Sequence, residues 1–145
     1  MRKKRKNQGT NRGGTVIVYD GITFKSGLEV YTYKKLLENG LEANYEGITY
    51  EILPAIEFEY NDKKTKKMQP MKYTPDFGGD WYIIECKGFA SESFPLRWKV
   101  FKHYLHNNNI KKYLFMPRKQ KDVDEMIAKL LELKQHYKYL IEEEI

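Results

Sequence analysis

Residues 72–88 read Lys-Tyr-Thr-Pro-Asp-Phe-Gly-Gly-Asp-Trp-Tyr-Ile-Ile-Glu-Cys-Lys-Gly. Gly78-Gly79-Asp80 is a turn sequence that separates two runs rich in aromatic and β-branched residues. This pattern predicts a β-hairpin with strands over 72–77 and 81–87. Because the runs are strongly apolar, we expect the hairpin to lie at the centre of a sheet rather than at its edge.

Three ionisable residues interrupt this apolar hairpin. Glu85 and Lys87 are two residues apart on one strand, so their side chains point to the same face, and a tight turn brings Asp76 close to them. Two convergent carboxylates suit a hard cation such as Mg²⁺. A lysine beside them can orient a water molecule or balance the charge of a phosphate. The alternative interpretation is a solvated polar face with an ordinary Glu–Lys pair.

The spacing of apolar residues predicts the other elements. One helix begins at Ser26 and ends at Gly40, a second covers 94–108, and a third begins at about Asp122. Strands are predicted at 16–19, 22–24, 48–53, 56–60 and 113–116, with a lysine-rich polar loop at 61–71. This order predicts an α/β fold: a central mixed β-sheet flanked by helices, with an added C-terminal helix.

Glu29 has two interpretations. With Ser26 three residues before it, Glu29 completes a capping box, which alone would explain a glutamate there. However, Tyr33 and Leu36 follow at i+4 and i+7, so Glu29 points towards the core-facing side of its helix. On the second interpretation, Glu29 contributes a third carboxylate to the acidic site.

The charge of the chain is concentrated at its N-terminus. The whole sequence has 26 basic and 20 acidic residues, for a net charge of +6. The first fourteen residues contain no acid and carry the entire imbalance through Arg2, Lys3, Lys4, Arg5, Lys6 and Arg12. We therefore expect a disordered basic tail over 1–14 and a single domain over 15–145. Such a tail is either an arm that lies along nucleic-acid phosphates or a solubilising end.

Composition excludes several classes of protein. Cys86 is the single cysteine, which rules out an intrachain disulfide and a cysteine-rich zinc site. The sequence contains no apolar run of the roughly 18 residues that a membrane span needs, and no apolar stretch of a signal peptide. We expect a cytoplasmic protein that has no membrane partner and no small-molecule cofactor.

Pro75-Asp76, followed after eight residues by Glu85-Cys86-Lys87, resembles the signature of the PD-(D/E)xK nucleases. The resemblance is more specific to the Holliday-junction-resolving endonucleases of T-odd phages. Four ordered segments carry it, at 24–29, 44–46, 73–77 and 84–88.

The resemblance implies a restriction-endonuclease-like core and a role for each site residue. Asp76 would bridge two metal ions, Glu85 would be the second ligand, and Glu29 would be the outer acid. The backbone carbonyl of Cys86 would add a ligand, whereas its thiol would point to the core. Lys87 would be the catalytic lysine. The implied cofactor is Mg²⁺, for which Mn²⁺ substitutes.

The resemblance also implies the partners. The substrate would be DNA, in particular branched DNA such as a four-way junction, and the enzyme would be a homodimer in the cytoplasm of a phage's host. Lys99 and Lys102 on the second helix would hold the cleaved strand, although a solvated helix face explains them equally well. Two alternatives stay open: a nuclease of the same fold that nicks or cuts ordinary duplex DNA in recombination or defence, and a DNA-binding protein that does not cleave.

Overall fold

The computed structural model describes residues 16–60, 66–88 and 93–143, with side chains as far as 137. Its helices are α1 (Gly27–Glu38), α2 (Phe94–Asn107) and α3 (Gln120–Glu143). Its strands are β1 (Ile17–Tyr19), β2 (Ile22–Phe24), β3 (Asn44–Tyr45), β4 (Tyr50–Leu53), β5 (Ile56–Phe58), β6 (Lys66–Met68), β7 (Met71–Tyr73), β8 (Phe77–Gly78), β9 (Tyr82–Ile84) and β10 (Tyr113–Phe115). The predicted mixed α/β class and C-terminal helix are confirmed. No helix within these ranges is both long and apolar enough to cross a bilayer.

A four-stranded mixed sheet lies between two layers of helices. Its order is β10-β9-β8-β3, in which β9 and β10 are parallel and the other pairs are antiparallel. Successive residues of β9 alternate between two apolar clusters, as the pleat requires. Tyr82 and Ile84 pack with α1 and α3, whereas Ile83 packs with Phe101 and Leu105 of α2. Residues 82–84 are therefore buried on both faces, as expected for a central strand.

Local sequence signals set the ends of α1. The Ser26 hydroxyl accepts a hydrogen bond from the Glu29 backbone N–H at 3.2 Å, which is the N-terminal cap that the sequence predicts. At the other end Gly40 adopts a positive φ of 65°, and the predicted stop is confirmed.

The predicted hairpin forms, but both of its strands are shorter than expected, and the second covers Tyr82–Ile84 rather than 81–87. β8 and β9 pair as Phe77 with Ile84 and Gly78 with Ile83. The expected continuous strand over 72–77 is wrong, because it divides into β7 and β8 and the two belong to different sheets. Pro75 lies in the break, where its missing N–H prevents continuous pairing.

Strands β4 to β7 form a long ribbon that two prolines interrupt. β4 pairs with β7 and β5 pairs with β6, while Pro54 and Pro70 lie in the gaps between these pairs. The predicted loop at 61–71 is therefore wrong for Lys66–Met68 and for Met71, which are in strands. Residues 61–65, at the start of the predicted loop, lie outside the described residues.

The turn of the β8–β9 hairpin leaves no room for a side chain at Gly79. A Cβ atom there would lie 2.9 Å from the ring of Tyr82, which is itself buried. We expect Gly79→Ala to lower the free energy of unfolding by about 1–2 kcal/mol, since overpacking must displace the ring. Urea denaturation measures this loss. Gly88→Ala is the matched control, because a Cβ at Gly88 meets nothing within 4 Å; equal losses in both variants would contradict the steric argument.

Candidate active site

A polar cavity of about 380 Å³ opens beside the β8–β9 hairpin. Its walls come from the start of α1, the end of β7, the segment after β9 and the first turn of α2. The described residues that line it are Lys25, Glu29, Glu46, Lys72, Tyr73, Thr74, Asp76, Glu85, Cys86, Lys87, Ser93, Phe94 and Arg97. All four of the sequence-predicted catalytic residues are among them.

Asp76 and Glu85 are joined by the backbone of the hairpin. Oδ2 of Asp76 accepts a hydrogen bond from the Cys86 N–H at 2.8 Å, and Oε2 of Glu85 accepts one from the Asp76 N–H at 3.2 Å. Each carboxylate therefore uses one oxygen to accept a hydrogen bond from a backbone N–H on the opposite side of the hairpin. The prediction that the hairpin brings these two acids together is confirmed.

Glu29 enters the same cavity from α1. Its Oε2 accepts hydrogen bonds from the Lys25 backbone N–H at 3.0 Å and from the Tyr45 hydroxyl at 2.7 Å. The carboxylate therefore does not close a capping box on the N–H of Ser26, although Ser26 itself caps the helix. Glu29, Asp76 and Glu85 are only 6%, 7% and 7% exposed, so three acids are buried around one cavity.

Lys87 places a positive charge at the edge of this acidic cluster. Its Nζ lies 3.8 Å from Oε1 of Glu85 and 4.3 Å from the centre of the Phe94 ring. The backbone that carries both residues is fixed by the neighbouring strand: the N–H of Glu85 donates to the Phe115 carbonyl and that of Lys87 to the Pro117 carbonyl, each at 3.0 Å.

Burial among like charges makes the two central acids difficult to ionise. Burial, followed by the charges of Glu85 and Glu29, raises the pKa of Asp76 to about 8. Burial also raises the pKa of Glu85, although Tyr73, Lys87 and the Asp76 N–H act against this rise. A divalent cation relieves such crowding, because it stabilises the ionised forms of both acids.

The donor set fits Mg²⁺. Asp76 and Glu85 supply hard carboxylate oxygens, and Mg²⁺ is ordinarily bound by one or two carboxylates together with water and substrate phosphates. Glu29 lies in the same cavity, but within the described residues no three acidic, histidine or cysteine side chains are arranged as a complete ligand set. A cation held by Asp76 and Glu85 would take its remaining ligands from water and substrate.

The Cys86 thiol belongs to the core, as expected. Its Sγ lies 3.3 Å from the Thr32 hydroxyl, and the side chain is buried in the cluster between the sheet, α1 and α3. Burial raises the pKa of this thiol, so it is a poor nucleophile and a poor metal ligand.

Part of the cavity wall was not predicted from the sequence. Lys72, Tyr73 and Arg97 line the cavity beside the acids, and so do Lys25 and Glu46, which pair at 2.9 Å. A signal for Arg97 existed, since it lies three residues after Phe94 in the first turn of a helix that follows Lys87.

The structure does not place Lys99 or Lys102 in the cavity. Both are exposed on α2, and neither is among the described lining residues. The basic tail with Arg2, Lys3, Lys4, Arg5, Lys6 and Arg12 lies outside the described residues.

These features define a mixed α/β protein with buried acidic residues around a cavity that basic residues also line. The chain matches, over residues 11–135, the model of a family described as a protein of unknown function, DUF1064. Because the match covers most of the chain, the protein belongs to this family. No curated protein and no solved structure matches it.

Proposed function

We propose that the protein is a metal-dependent DNA endonuclease of the PD-(D/E)xK type that hydrolyses phosphodiester bonds at branched DNA, such as a four-way junction. One observation carries the proposal: Asp76, Glu85 and Lys87, the residues of the PD-(D/E)xK pattern, line a single cavity together with Glu29. A solvated polar strand would not bury three carboxylates around one cavity, since uncompensated buried charge is unfavourable.

The fold is consistent with a restriction-endonuclease-like core. In such a core the site residues lie on a helix and on neighbouring strands of a mixed sheet, and here Glu29 lies on α1 while Asp76 and Glu85 flank the paired ends of β8 and β9. This supports the proposed type of nuclease. The preference for branched DNA is supported instead by the sequence resemblance, which residues 24–29, 44–46, 73–77 and 84–88 carry.

Each residue then has a defined task. Asp76 and Glu85 would hold Mg²⁺, or Mn²⁺ in its place, with the Cys86 carbonyl and Glu29 as further oxygen donors. When bound, the cation supplies Lewis-acid activation of a phosphoryl oxygen and lowers the pKa of a water molecule. Lys87 would donate a hydrogen bond to the substrate and balance the charge that develops on the phosphate. The Tyr45 hydroxyl and the Lys25 N–H fix the Glu29 carboxylate in place.

We further propose that the enzyme acts as a homodimer in the cytoplasm, because a four-way junction has two strands to cut symmetrically.

Helix α3 has a structural role that requires no contact with DNA. Its Val123, Met126, Ile127 and Leu130 are buried against the sheet and α1.

The test is cleavage of a labelled four-way junction beside a linear duplex of matched sequence, in Mg²⁺, in Mn²⁺ and in chelator. We expect paired nicks near the branch point in either metal, and none in chelator. We also expect the junction to bind at least about tenfold more tightly than the duplex in chelator, since recognition of shape and backbone requires no chemistry.

Each outcome distinguishes a named alternative. Equal cutting of both substrates would retain the nuclease and remove its preference for branches. Metal-independent binding without any cutting would indicate a DNA-binding protein of this fold. If the protein neither binds nor cuts these DNAs, the proposal is refuted.

A further inference from the structure

Tyr45 ends the strand that lies next to the hairpin of the candidate active site. β3 pairs with β8 so that Tyr45 lies opposite Phe77, the residue that follows Asp76. The Tyr45 ring packs against the rings of Phe24, at 4.6 Å between centres, and of Phe77, at 5.5 Å. The sheet and the core beside it therefore fix the position of the Tyr45 hydroxyl.

This hydroxyl contacts a carboxylate that belongs to a different layer of the fold. It donates a hydrogen bond of 2.7 Å to Oε2 of Glu29 on α1. The Lys25 N–H donates the other hydrogen bond to Oε2, from only four residues before Glu29 in the chain. Among the described residues, Tyr45 is thus the donor that links the Glu29 carboxylate to the sheet. Both hydrogen bonds are accepted by the same oxygen, so Oε1 remains for a cation or one of its water molecules.

The next residue, Glu46, connects the same segment to Asp76. The Glu46 N–H donates to the Asp76 carbonyl at 2.8 Å, next to the pairing of β3 with β8. The Glu46 carboxylate lies 2.9 Å from Nζ of Lys25, whose N–H is the second donor to Glu29. Two consecutive residues, Tyr45 and Glu46, therefore connect the acid on α1 with an acid of the hairpin.

The spacing of the three acids matters for a divalent cation. Mg²⁺ requires a near-ideal octahedron of oxygen atoms at about 2.0–2.1 Å, so the carboxylates around it need fixed positions. Asp76 and Glu85 have such positions, because hydrogen bonds across the hairpin connect them. Glu29 lies on a separate helix, so the placement of its carboxylate relative to the other two depends on the hydrogen bond from the sheet.

We propose that Tyr45 is a positioning residue that holds the Glu29 carboxylate where it can share a divalent cation with Asp76 and Glu85. Tyr45 acts only through Glu29 and contacts neither the cation nor the substrate. The inference rests on the proposed function for the cation site, and it adds a residue that sets the affinity of this site for Mg²⁺. Hydrogen-bond partners of metal ligands commonly change metal affinity by about tenfold or more.

Metal binding without DNA tests this role. The midpoint of thermal unfolding is measured while Mg²⁺ is added to metal-free protein, since a ligand stabilises the folded state that binds it. We expect Tyr45→Phe to raise the Kd for Mg²⁺ about tenfold, because the ring stays in place and only the hydroxyl is lost. The midpoint in chelator measures any effect of the substitution on the fold itself.

Tyr33→Phe is the matched control. Tyr33 also packs on the Phe24 ring, at 5.2 Å between centres, and donates a hydrogen bond of 2.6 Å to the carboxylate of Asp20. Neither Tyr33 nor Asp20 is among the described residues that line the cavity. We expect the Kd for Mg²⁺ to change less than about twofold in this variant, since the hydrogen bond that it loses holds no metal ligand. An equal rise in Tyr33→Phe and Tyr45→Phe would overturn the proposal.

A double-mutant cycle distinguishes positioning from a structural role. We expect Glu29→Ala alone to raise the Kd for Mg²⁺ about tenfold or more, and Tyr45→Phe to add less than about a twofold rise in the Glu29→Ala background. A residue that acts only through the Glu29 carboxylate has nothing to position once that carboxylate is absent. If Tyr45→Phe still raises the Kd about tenfold in this background, Tyr45 does not act through Glu29 and the proposal is wrong.

Cleavage of the labelled junction gives a second measurement. We expect Tyr45→Phe to raise the half-saturating Mg²⁺ concentration about tenfold, and to lower the rate at saturating Mg²⁺ by less than about threefold. A lower rate at saturation with an unchanged half-saturating concentration would contradict a role in cation binding.

The outcomes separate this inference from the proposed function. If the wild-type protein cuts the junction while Tyr45→Phe binds Mg²⁺ as tightly as the wild type does, the positioning role is refuted and the nuclease stands. If Mg²⁺ binding depends on Tyr45 as expected but no DNA is cut, the nuclease is refuted and the positioning role stands. If the wild-type protein neither binds Mg²⁺ nor cuts DNA, both fail together.

Discussion

Asp76→Asn is expected to lower the rate of metal-dependent DNA cleavage by about a thousandfold. The carboxylate lies in the candidate active site, where hydrogen bonds through the hairpin backbone link it to Glu85 and Cys86. A metal ion contributes several kcal/mol to the stabilisation of a transition state, and about 4 kcal/mol corresponds to this loss of rate. Asparagine preserves the shape and can still accept the hydrogen bond from the Cys86 N–H, so we expect the fold to be retained.

The measurement is single-turnover cleavage of the labelled junction in Mg²⁺, with binding in chelator measured in parallel. Asp80→Asn is the matched control, because Asp80 is an exposed aspartate in the turn of the same hairpin. We expect Asp80→Asn to cut at close to the wild-type rate, and Asp76→Asn to bind the junction at least as tightly as the wild type. Cleavage by Asp76→Asn within tenfold of the wild-type rate would contradict the assignment.

Without divalent cations, the same Asp76→Asn substitution is expected to stabilise the protein at pH 8. The pKa of Asp76 is raised from 3.8 to about 8 by burial and by the charges of Glu85 and Glu29. Between these two values the folded chain binds more protons than the unfolded chain, so the free energy of unfolding falls as the pH rises. Asparagine cannot ionise and avoids this loss, which we expect to amount to about 2–3 kcal/mol at pH 8.

Urea denaturation in chelator at several pH values between 5 and 8 measures the effect. The difference between Asp76→Asn and the wild type should be smallest at pH 5 and grow towards pH 8. Adding Mg²⁺ at pH 8 should then raise the stability of the wild type and leave Asp76→Asn unchanged, because a ligand stabilises the state that binds it. If the free energies of unfolding of the two proteins change in parallel across this pH range, burial and the neighbouring acids do not raise the pKa of Asp76.

The sequence predicts those parts of the fold that short-range signals determine. The Asp20-Gly21 turn places Tyr19 opposite Ile22, and both turn residues have the positive φ that the dipeptide allows. The helix boundaries at Ser26 and Asn108 follow from caps and turn residues in the same way. The meeting of Asp76 with Glu85 was predictable for the same reason, since one tight turn separates them.

Pairing between distant segments could not be read from the sequence. The predicted strand divides at Pro75 because β7 pairs with β4, and no local sequence pattern identifies β4 as that partner. Leu37 fits the apolar spacing of α1 but is 50% exposed, whereas its neighbour Leu36 is fully buried in the core. Arg97 was not predicted as a site residue, because its place in the cavity depends on how α2 crosses the sheet.

The hydrogen bonds from Glu85 and Lys87 to β10 have a consequence for biosynthesis. A ribosome that has reached Gly88 has already made Glu29, Asp76, Glu85 and Lys87. The carbonyls that hold the last two in place belong to Phe115 and Pro117, which are translated only after the whole of α2. We therefore expect a nascent chain to carry all four of these residues before the backbone that holds the last two in place is complete.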